Sequence, residues 1–199
     1  MILYDIGFLK NKLKEFISEN RFIHSVGVMN TAVELADLYG ADPVKAQVAG
    51  LLHDCAKGYS EEQLLDLAQK YDIYLDEILI NSPFLLHGPV GAKMLKEYFA
   101  IDDQEIARAI AIHTTGDINM SILDKIIFLS DYIEPGRDFE GVKELRELAY
   151  KDLDLAVLKA LDNTINYVIK KGMLLYDKTV DSRNDILIKL RSGENEKNI

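Results

Sequence analysis

The chain has 199 residues, of which 48% are hydrophobic and 28% are charged, a composition typical of a globular protein with one well-filled core. The net charge of −10 argues against a general nucleic-acid-binding surface, because such surfaces depend on clustered lysine and arginine. No apolar run reaches the roughly 18 residues that span a bilayer, so we expect no membrane contact. The single cysteine, Cys55, excludes an internal disulfide framework and is typical of a reducing cytoplasm.

Hydrophobic residues recur with helical periodicity along most of the chain, and capping signals divide it into segments. These signals include Asp42 before Pro43, a capping box that begins at Ser60, and Asp102 and Ser182 before later segments. The segments predict helices over approximately residues 5–19, 22–39, 43–53, 60–71, 75–80, 84–99, 102–113, 121–131, 142–149, 152–170 and 183–190.

We therefore predict an all-α protein in which residues 1–199 form a single domain, a bundle of about ten helices. Its core is expected to lie within about 20–135, and the helices within 142–190 are expected to complete the bundle. Residues 173–180 are predicted to be extended or loop, and the polar tail 192–199 is predicted to be frayed.

One stretch, residues 50–57, places ionisable side chains in the predicted interior. An apolar run leads directly into His53 and Asp54, and Lys57 follows three residues after the carboxylate. Burying an imidazole and an ionised carboxylate costs free energy unless a partner is present, and a divalent metal ion is a suitable partner. A structural His–Asp pair at a helix end is the simpler interpretation of this stretch taken alone. Cys55 points about 100° away from its neighbour on a helix, so we expect a buried, inert thiol.

All the histidines of the chain lie at or near predicted helix ends, on or beside apolar segments: His24, His53, His87 and His113. Two carboxylates, Asp54 and Asp131, lie at the ends of similarly apolar segments. Taken singly, each histidine is more simply explained as a hydrogen-bonded core residue. Six such residues in one chain favour a metal site over that explanation.

The order His24, His53-Asp54 and Asp131 resembles that of the HD-domain metal phosphohydrolases, an all-helical superfamily named for the adjacent pair. The chain further resembles the bacterial YqeK family over residues 21–28, 51–57, 87–92, 112–116, 129–137 and 179–184. That family hydrolyses diadenosine tetraphosphate symmetrically into two ADP. The resemblance therefore implies a single helical HD domain, a small nucleotide substrate and ADP as the product.

The resemblance also implies the metal ligands, which are His24, His53, Asp54 and Asp131. They would hold one or two divalent transition-metal ions, with iron the first choice and manganese or cobalt the alternatives. His87 and His113 have two open roles. They would either bind a second metal, with Asp54 as a bridge, or contact phosphate and protonate the leaving ADP.

The family likeness further implies which residues act on the substrate. The expected catalytic residues are His24, His53, Asp54, Lys57, His87, His113 and Asp131. The expected substrate-binding residues are His24, Asp54, Lys57, His87, His113, Thr114, Asp131, Arg137, Thr179 and Arg183. Without the resemblance, Lys57 and Arg183 would be interpreted as solvated surface charges, and Thr114 as part of an ordinary helix terminator.

Three functions are compatible with this pattern. The first is symmetrical hydrolysis of diadenosine tetraphosphate, and the second is hydrolysis of another nucleotide or deoxynucleotide by an HD-type enzyme. The third is a nucleotide-binding sensor whose metal site no longer turns over substrate. The sequence leaves the base preference and the assembly state open, including a homodimer.

Overall fold

The computed structural model describes residues 4–197, with side chains described as far as residue 192. Over these residues the chain forms eleven α-helices and one short 3-10 helix, and no strand. The α-helices are α1 (Ile6–Leu13), α2 (Glu19–Tyr39), α3 (Pro43–Leu52), α4 (Glu61–Lys70), α5 (Glu77–Asn81), α6 (His87–Phe99), α7 (Gln104–Ile112), α8 (Ile122–Ile133), α9 (Val142–Ala149), α10 (Leu153–Lys170) and α11 (Asp177–Lys197). The 3-10 helix, Pro83–Leu86, leads directly into α6. The predicted all-α class is confirmed.

Most helix boundaries follow from local capping chemistry that the sequence predicts. The Asp42 side chain accepts hydrogen bonds from the first backbone amides of α3, and Ser60 and Gln63 form a reciprocal capping box before α4. Gly40 ends α2 in the left-handed conformation, with φ of 71°. These caps separate the helices by short turns, so their ends come close together in space.

Two boundaries near the beginning and the middle of the chain differ from the prediction. The first helix ends at Leu13, because Ser18 accepts a hydrogen bond from the backbone amide of Arg21 and so begins α2 one turn early. The cap of α7 is Asp103 rather than Asp102, since the Asp103 carboxylate accepts from the first amides of that helix. Propensity alone did not distinguish two adjacent aspartates.

The last helix differs most from the prediction. α11 occupies part of the expected loop at 173–180 and continues through Ser182, which was predicted to be a helix cap. Ser182 is fully buried, and its hydroxyl lies 3.3 Å from the Met120 sulfur, so it packs against the connection between α7 and α8. The backbone remains helical to Lys197, where a frayed tail was predicted, and residues 198–199 lie outside the described part.

The helices that carry the histidines form the centre of the bundle. α2 packs against α3 and α8, and α7 packs against α3, α6 and α8. Their apolar faces form one continuous core, which includes Leu35, Leu52, Ile110 and Leu129, each fully buried. No described helix combines the length and the hydrophobicity that a membrane span requires.

The approach of α2 to α3 depends on a glycine. A Cβ atom added at Gly50 would lie 2.9 Å from the Cα atom of Met29, so backbone rather than a mobile side chain blocks any larger residue. We expect Gly50→Ala to lower the free energy of unfolding by about 1–3 kcal/mol, measured by urea denaturation. The exposed Asn30→Ala on α2 should change it by less than about 0.5 kcal/mol. Equal stabilities of the two variants would contradict this explanation of the helix contact.

Candidate metal centre and active site

Five helices deliver ionisable side chains to one end of the bundle. His24 lies near the beginning of α2 and Asp131 lies in the last turn of α8, whereas His53, Asp54, His87 and His113 lie at helix ends. The four imidazole rings form a continuous edge-to-face row, with neighbouring ring centroids separated by 4.9–5.3 Å. Both carboxylates lie beside this row. The structure thus brings together all six residues that the sequence singled out.

Three of the imidazoles are oriented by the backbone. His53, His87 and His113 each place Nδ1 within 2.5–2.8 Å of the carbonyl oxygen three residues earlier in the chain. A carbonyl can only accept a hydrogen bond, so Nδ1 carries the proton in each neutral ring. In this tautomer Nε2 carries a lone pair that points into the cluster. A histidine that binds a metal through Nε2 requires this tautomer.

The fourth imidazole is oriented by a carboxylate that sequence reasoning missed. His24 Nδ1 lies 3.1 Å from Oε1 of Glu134, which is 5% exposed. The other oxygen, Oε2, accepts a hydrogen bond from the Gly136 amide at 2.6 Å. A Cβ atom at Gly27 would lie 2.5 Å from the same oxygen, so glycine at this position leaves room for the carboxylate. The only sequence signal was an acidic residue directly before Pro135, two residues before Gly136.

Each of the two carboxylates lies close enough to both His24 and His53 to share a divalent cation with them. Asp131 Oδ1 lies 3.0 Å from His24 Nε2 and 3.7 Å from His53 Nε2. Asp54 Oδ2 lies 3.9 Å and 3.5 Å from the same two nitrogens. Two atoms that each bind one ion at about 2.0–2.2 Å are separated by at most about 4.4 Å, so these four pairs satisfy this limit. Among the described residues, the donors that all lie within 4.8 Å of one another form two sets that share His53: His24, His53 and Asp131, and His53, Asp54 and His113.

Unsatisfied polar atoms support the same assignment. Within the described residues, His24 Nε2 and His53 Nε2 are buried without a hydrogen-bond partner. Their near neighbours are carboxylate oxygens, which cannot donate a hydrogen bond when ionised. Lone pairs that face carboxylates are unfavourable unless a cation lies between them. The chemistry and spacing of these donors therefore fit a divalent metal ion.

Asp54 also faces the other two imidazoles. Its Oδ1 atom lies 3.3 Å from His87 Nε2 and 3.6 Å from His113 Nε2, and these two nitrogens are 3.1 Å apart. The Lys57 ammonium lies 3.3 Å from His87 Nε2, and the Thr114 hydroxyl lies 3.1 Å from both nitrogens. Two facing lone pairs need a donor or a cation, and Lys57 and Thr114 supply donors here.

Burial and neighbouring charges set the protonation states. Burial opposes ionisation of Asp54, but the nearby histidines, beginning with His53, hold its pKa well below the usual range. Burial likewise opposes ionisation of Asp131, yet contacts with His24 and His53 lower its pKa. Burial lowers the pKa of His87 to about 4, so this imidazole is neutral at pH 7. The cluster therefore presents ionised carboxylates and a neutral His87.

Two arginines hold the carboxylates in place. Arg21 Nη1 lies 2.9 Å from Asp54 Oδ2, and Arg137 Nη2 lies 2.5 Å from Asp131 Oδ1. Arg137 also donates through Nε to the Asp131 carbonyl at 2.8 Å, so the chain after α8 folds this guanidinium back onto the end of that helix. Sequence reasoning missed the role of Arg21, although it lies one helical turn before His24.

The predicted substrate-binding residues near the C-terminus make contacts of their own within the fold. Arg183 Nε pairs with Asp162 Oδ1 on α10 at 2.9 Å, and Thr179 is buried in the first turn of α11 at 4% exposure. Neither residue belongs to the lining of the two cavities described next. Cys55 is fully buried as predicted, and burial raises the pKa of its thiol to about 12.

Two cavities adjoin the cluster: one includes His113 and Asp131 in its lining, and the other includes Arg21 and Lys57, which contact Asp54 and His87. We call the larger, about 620 Å³, the aromatic cavity; it is lined by His113, Thr114, Phe128, Asp131, Tyr132, Arg137, Phe139, Glu140, Asn163, Thr164, Asn166, Tyr167 and Lys170. We call the smaller, about 440 Å³, the basic cavity; it is lined by Glu15, Phe16, Ile17, Ser18, Arg21, Lys57 and Gly58. Both volumes fall in the range of about 300–1,000 Å³ that is typical of small-molecule sites.

Comparison with known proteins agrees with this geometry. A family model described as the HD domain matches residues 21–136. The chain is 42% identical to the symmetrical bis(5'-nucleosyl)-tetraphosphatase of Halalkalibacterium halodurans, covering 88% of this chain and 94% of that protein. It is 40% identical to the protein of the same name from Bacillus subtilis, with coverage of 84% and 89%.

A solved structure is similar over nearly the whole chain. It is that of a predicted HD superfamily hydrolase involved in NAD metabolism from Clostridium acetobutylicum, with a TM-score of 0.91 and 42% identity. The alignment covers 94% of this chain and all of that one. The fold and the cluster define the class, a helical hydrolase whose domain type implies a bound divalent metal. Within that class the chain belongs to the HD-domain, YqeK-like family.

The contact between Glu134 and His24 can be tested through metal affinity. Glu134 accepts from two donors, and the amide group of glutamine can accept from only one of them. We expect Glu134→Gln to weaken binding of Mn²⁺ about 10- to 100-fold, measured by competition with a fluorescent chelator. Glu144→Gln, at an exposed position on α9, is the matched control and should bind as the wild type does. An unchanged affinity in Glu134→Gln would show that this carboxylate does not act on the metal site.

Proposed function

We propose that the protein is a metal-dependent hydrolase that cleaves diadenosine tetraphosphate symmetrically into two ADP. The observation that carries this proposal is the convergence of His24, His53, Asp54 and Asp131 beside a second set of phosphate-binding side chains. The name of its relatives supports the substrate, since they are called symmetrical bis(5'-nucleosyl)-tetraphosphatases.

In this proposal, His24, His53, Asp54 and Asp131 hold one divalent ion. Mixed imidazole and carboxylate ligands with open positions suit iron, and manganese and cobalt are the alternatives. When bound, the ion activates a water molecule for attack and polarises a phosphoryl oxygen. Glu134 fixes the orientation of His24 through Nδ1 at 3.1 Å.

We further propose that His87 and His113 contact phosphate rather than a second ion. The Lys57 ammonium lies 3.3 Å from His87 Nε2, so a positive charge is already next to the position that a second metal would need. A neutral His87 and the Thr114 hydroxyl, which lies 3.1 Å from both imidazole nitrogens, complete a group suited to phosphate oxygens. Arg137, which pairs with Asp131 and lines the same cavity as Thr114, offsets further phosphate charge.

Symmetrical cleavage requires water to attack the second phosphorus counted from one adenosine. The linings of the two cavities support this register. One includes His113 and Asp131 of the cluster, and the other includes Lys57, whose ammonium lies 3.3 Å from His87 Nε2. We propose that each cavity accepts one ADP half. Arg21 and Lys57 line the basic cavity, and Arg137 lines the aromatic cavity. We propose that cations on both sides hold the central phosphates over the metal.

We also propose that residues 1–199 fold as one domain, because α10 packs against α8, α9 and α11. A cytoplasmic location is proposed from the reduced Cys55 and from the nucleotide substrate. The alternatives are an HD-type hydrolase of another nucleotide and a nucleotide-binding sensor that does not turn over. Product analysis separates all three.

The cleavage pattern is the direct test. We expect the Mn²⁺- or Fe²⁺-loaded protein to convert diadenosine tetraphosphate into ADP alone, and hydrolysis in ¹⁸O-water to place the label in ADP. Chromatography with mass spectrometry measures both results. The control is Asp131→Ala, which should lose bound metal and turnover together because it removes an anionic ligand. Formation of AMP and ATP, or full turnover in a metal-free preparation, would contradict the proposal.

The roles of the outer residues can be tested by metal content and turnover together. We expect His113→Ala and Arg137→Ala to retain one metal ion per chain and to lose turnover about a hundredfold, or about 3 kcal/mol at the transition state. Arg191→Ala, at an exposed position on α11, is the control for loss of a positive charge. If His113→Ala halves the metal content measured by mass spectrometry, a second metal site is the correct account.

A further inference from the structure

The aromatic cavity extends well beyond the residues that act on phosphate. At one end lie His113, Thr114, Asp131 and Arg137, which belong to the cluster described above. The rest of its lining comes from α10 and from the segment after α8. Neither the metal nor the phosphate-binding group needs these further residues. They form a continuous surface that leads away from the cluster.

The α10 part of this surface is one stripe of the helix. Asn163, Asn166, Tyr167 and Lys170 follow the spacing i, i+3, i+4 and i+7, which places them on one face. The buried residues of the same helix, among them Val157 and Leu161, belong to the core. This stripe therefore combines two amides, an aromatic ring and a positive charge at a cavity, where none is required for packing.

Two aromatic rings of this surface are partly open to solvent. Phe139 is 37% exposed and Tyr167 is 56% exposed, although both line a cavity that leads to the cluster. Tyr132 packs edge-to-face against Phe139, with the two ring centroids 5.3 Å apart and the planes at 88°. Exposed, supported aromatic faces are the surfaces on which nucleobases stack.

The two asparagines provide the complementary polar contacts. An asparagine amide presents one acceptor and two donors, which match the adjacent amino group and ring nitrogen of adenine. The basic cavity has a different lining, with Arg21 and Lys57 and a single aromatic residue, Phe16. Its chemistry favours phosphate groups, so the two cavities are not equivalent.

We propose that Phe139, Asn163, Asn166 and Tyr167 form a nucleobase subsite that binds the adenine of one ADP half. The inference rests on the proposed function, because it assumes a nucleotide whose phosphates lie at the cluster. The base stacks on Phe139 or Tyr167, and the asparagine amides select adenine by hydrogen bonding. Since a base bound there restricts where the phosphate chain can reach, the subsite sets the register of cleavage.

Comparison of two ligands isolates the base. ADP and inorganic pyrophosphate share a diphosphate and differ by the adenosine, so the ratio of their affinities reports the subsite alone. We expect Phe139→Ala and Asn163→Ala in the Mn²⁺-loaded full-length protein to bind ADP about tenfold more weakly, measured by calorimetry. Binding of pyrophosphate should stay within about twofold, and Asn163→Ala should also reduce the preference for ADP over GDP.

The control is Tyr74→Ala, because Tyr74 is 84% exposed between α4 and α5 and lines neither cavity. Circular dichroism confirms that each variant is folded, and Tyr167→Ala repeats the test at a second exposed ring. Unchanged ADP affinity in the variants, equal loss of pyrophosphate binding, or no ADP binding to the wild type would overturn the subsite. If the variants selectively lose ADP affinity but the wild type forms no ADP from diadenosine tetraphosphate, the proposed function fails and the subsite stands.

Discussion

The arrangement of the site depends on one buried carboxylate. Asp54 is 3% exposed, and its two oxygens face two different pairs of imidazoles. Oδ2 faces His24 and His53, and Oδ1 faces His87 and His113. An ionised carboxylate is stable in this position only because cationic or polarised groups surround it. Asp54 is therefore the shared element between the proposed metal-binding half and the proposed phosphate-binding half of the site.

The scaffold supports this carboxylate by fixing its surroundings through the backbone. Three histidines donate Nδ1–H to the carbonyl three residues earlier, which lies in α3 for His53, in the 3-10 helix for His87 and in α7 for His113. Their orientation therefore follows from local helical geometry. The fourth, His24, depends on a loop, because Glu134 is positioned by the turn that ends α8. Arg146 on α9 donates to the carbonyl oxygens of Ile133, Glu134 and Arg137 and so holds that loop. α9 thus supports the candidate metal site without supplying any of its proposed ligands.

Much of this site could be predicted from sequence, because helix periodicity and caps place the histidines and aspartates at helix ends. Helix ends that meet at one end of a bundle bring their side chains together. Glu134 and Arg21 were missed, because their roles depend on contacts with residues far away in sequence. Glu134 is 110 residues from His24, and Arg21 is 33 residues from Asp54. The i, i+3, i+4 and i+7 spacing of the α10 stripe is visible in the sequence. The cavity that the stripe lines forms only when distant segments come together in the fold. Ser182 is a capping residue type that tertiary packing buries inside a helix instead.

The central claim is that His24, His53, Asp54 and Asp131 together hold a divalent ion. Anomalous X-ray diffraction from crystals grown with Mn²⁺ tests it most directly, since it locates the ion without assuming any activity. We expect one strong anomalous peak within bonding distance, about 2.0–2.3 Å, of donor atoms from all four residues. The absence of a peak at this cluster, in crystals that contain Mn²⁺, would contradict the account.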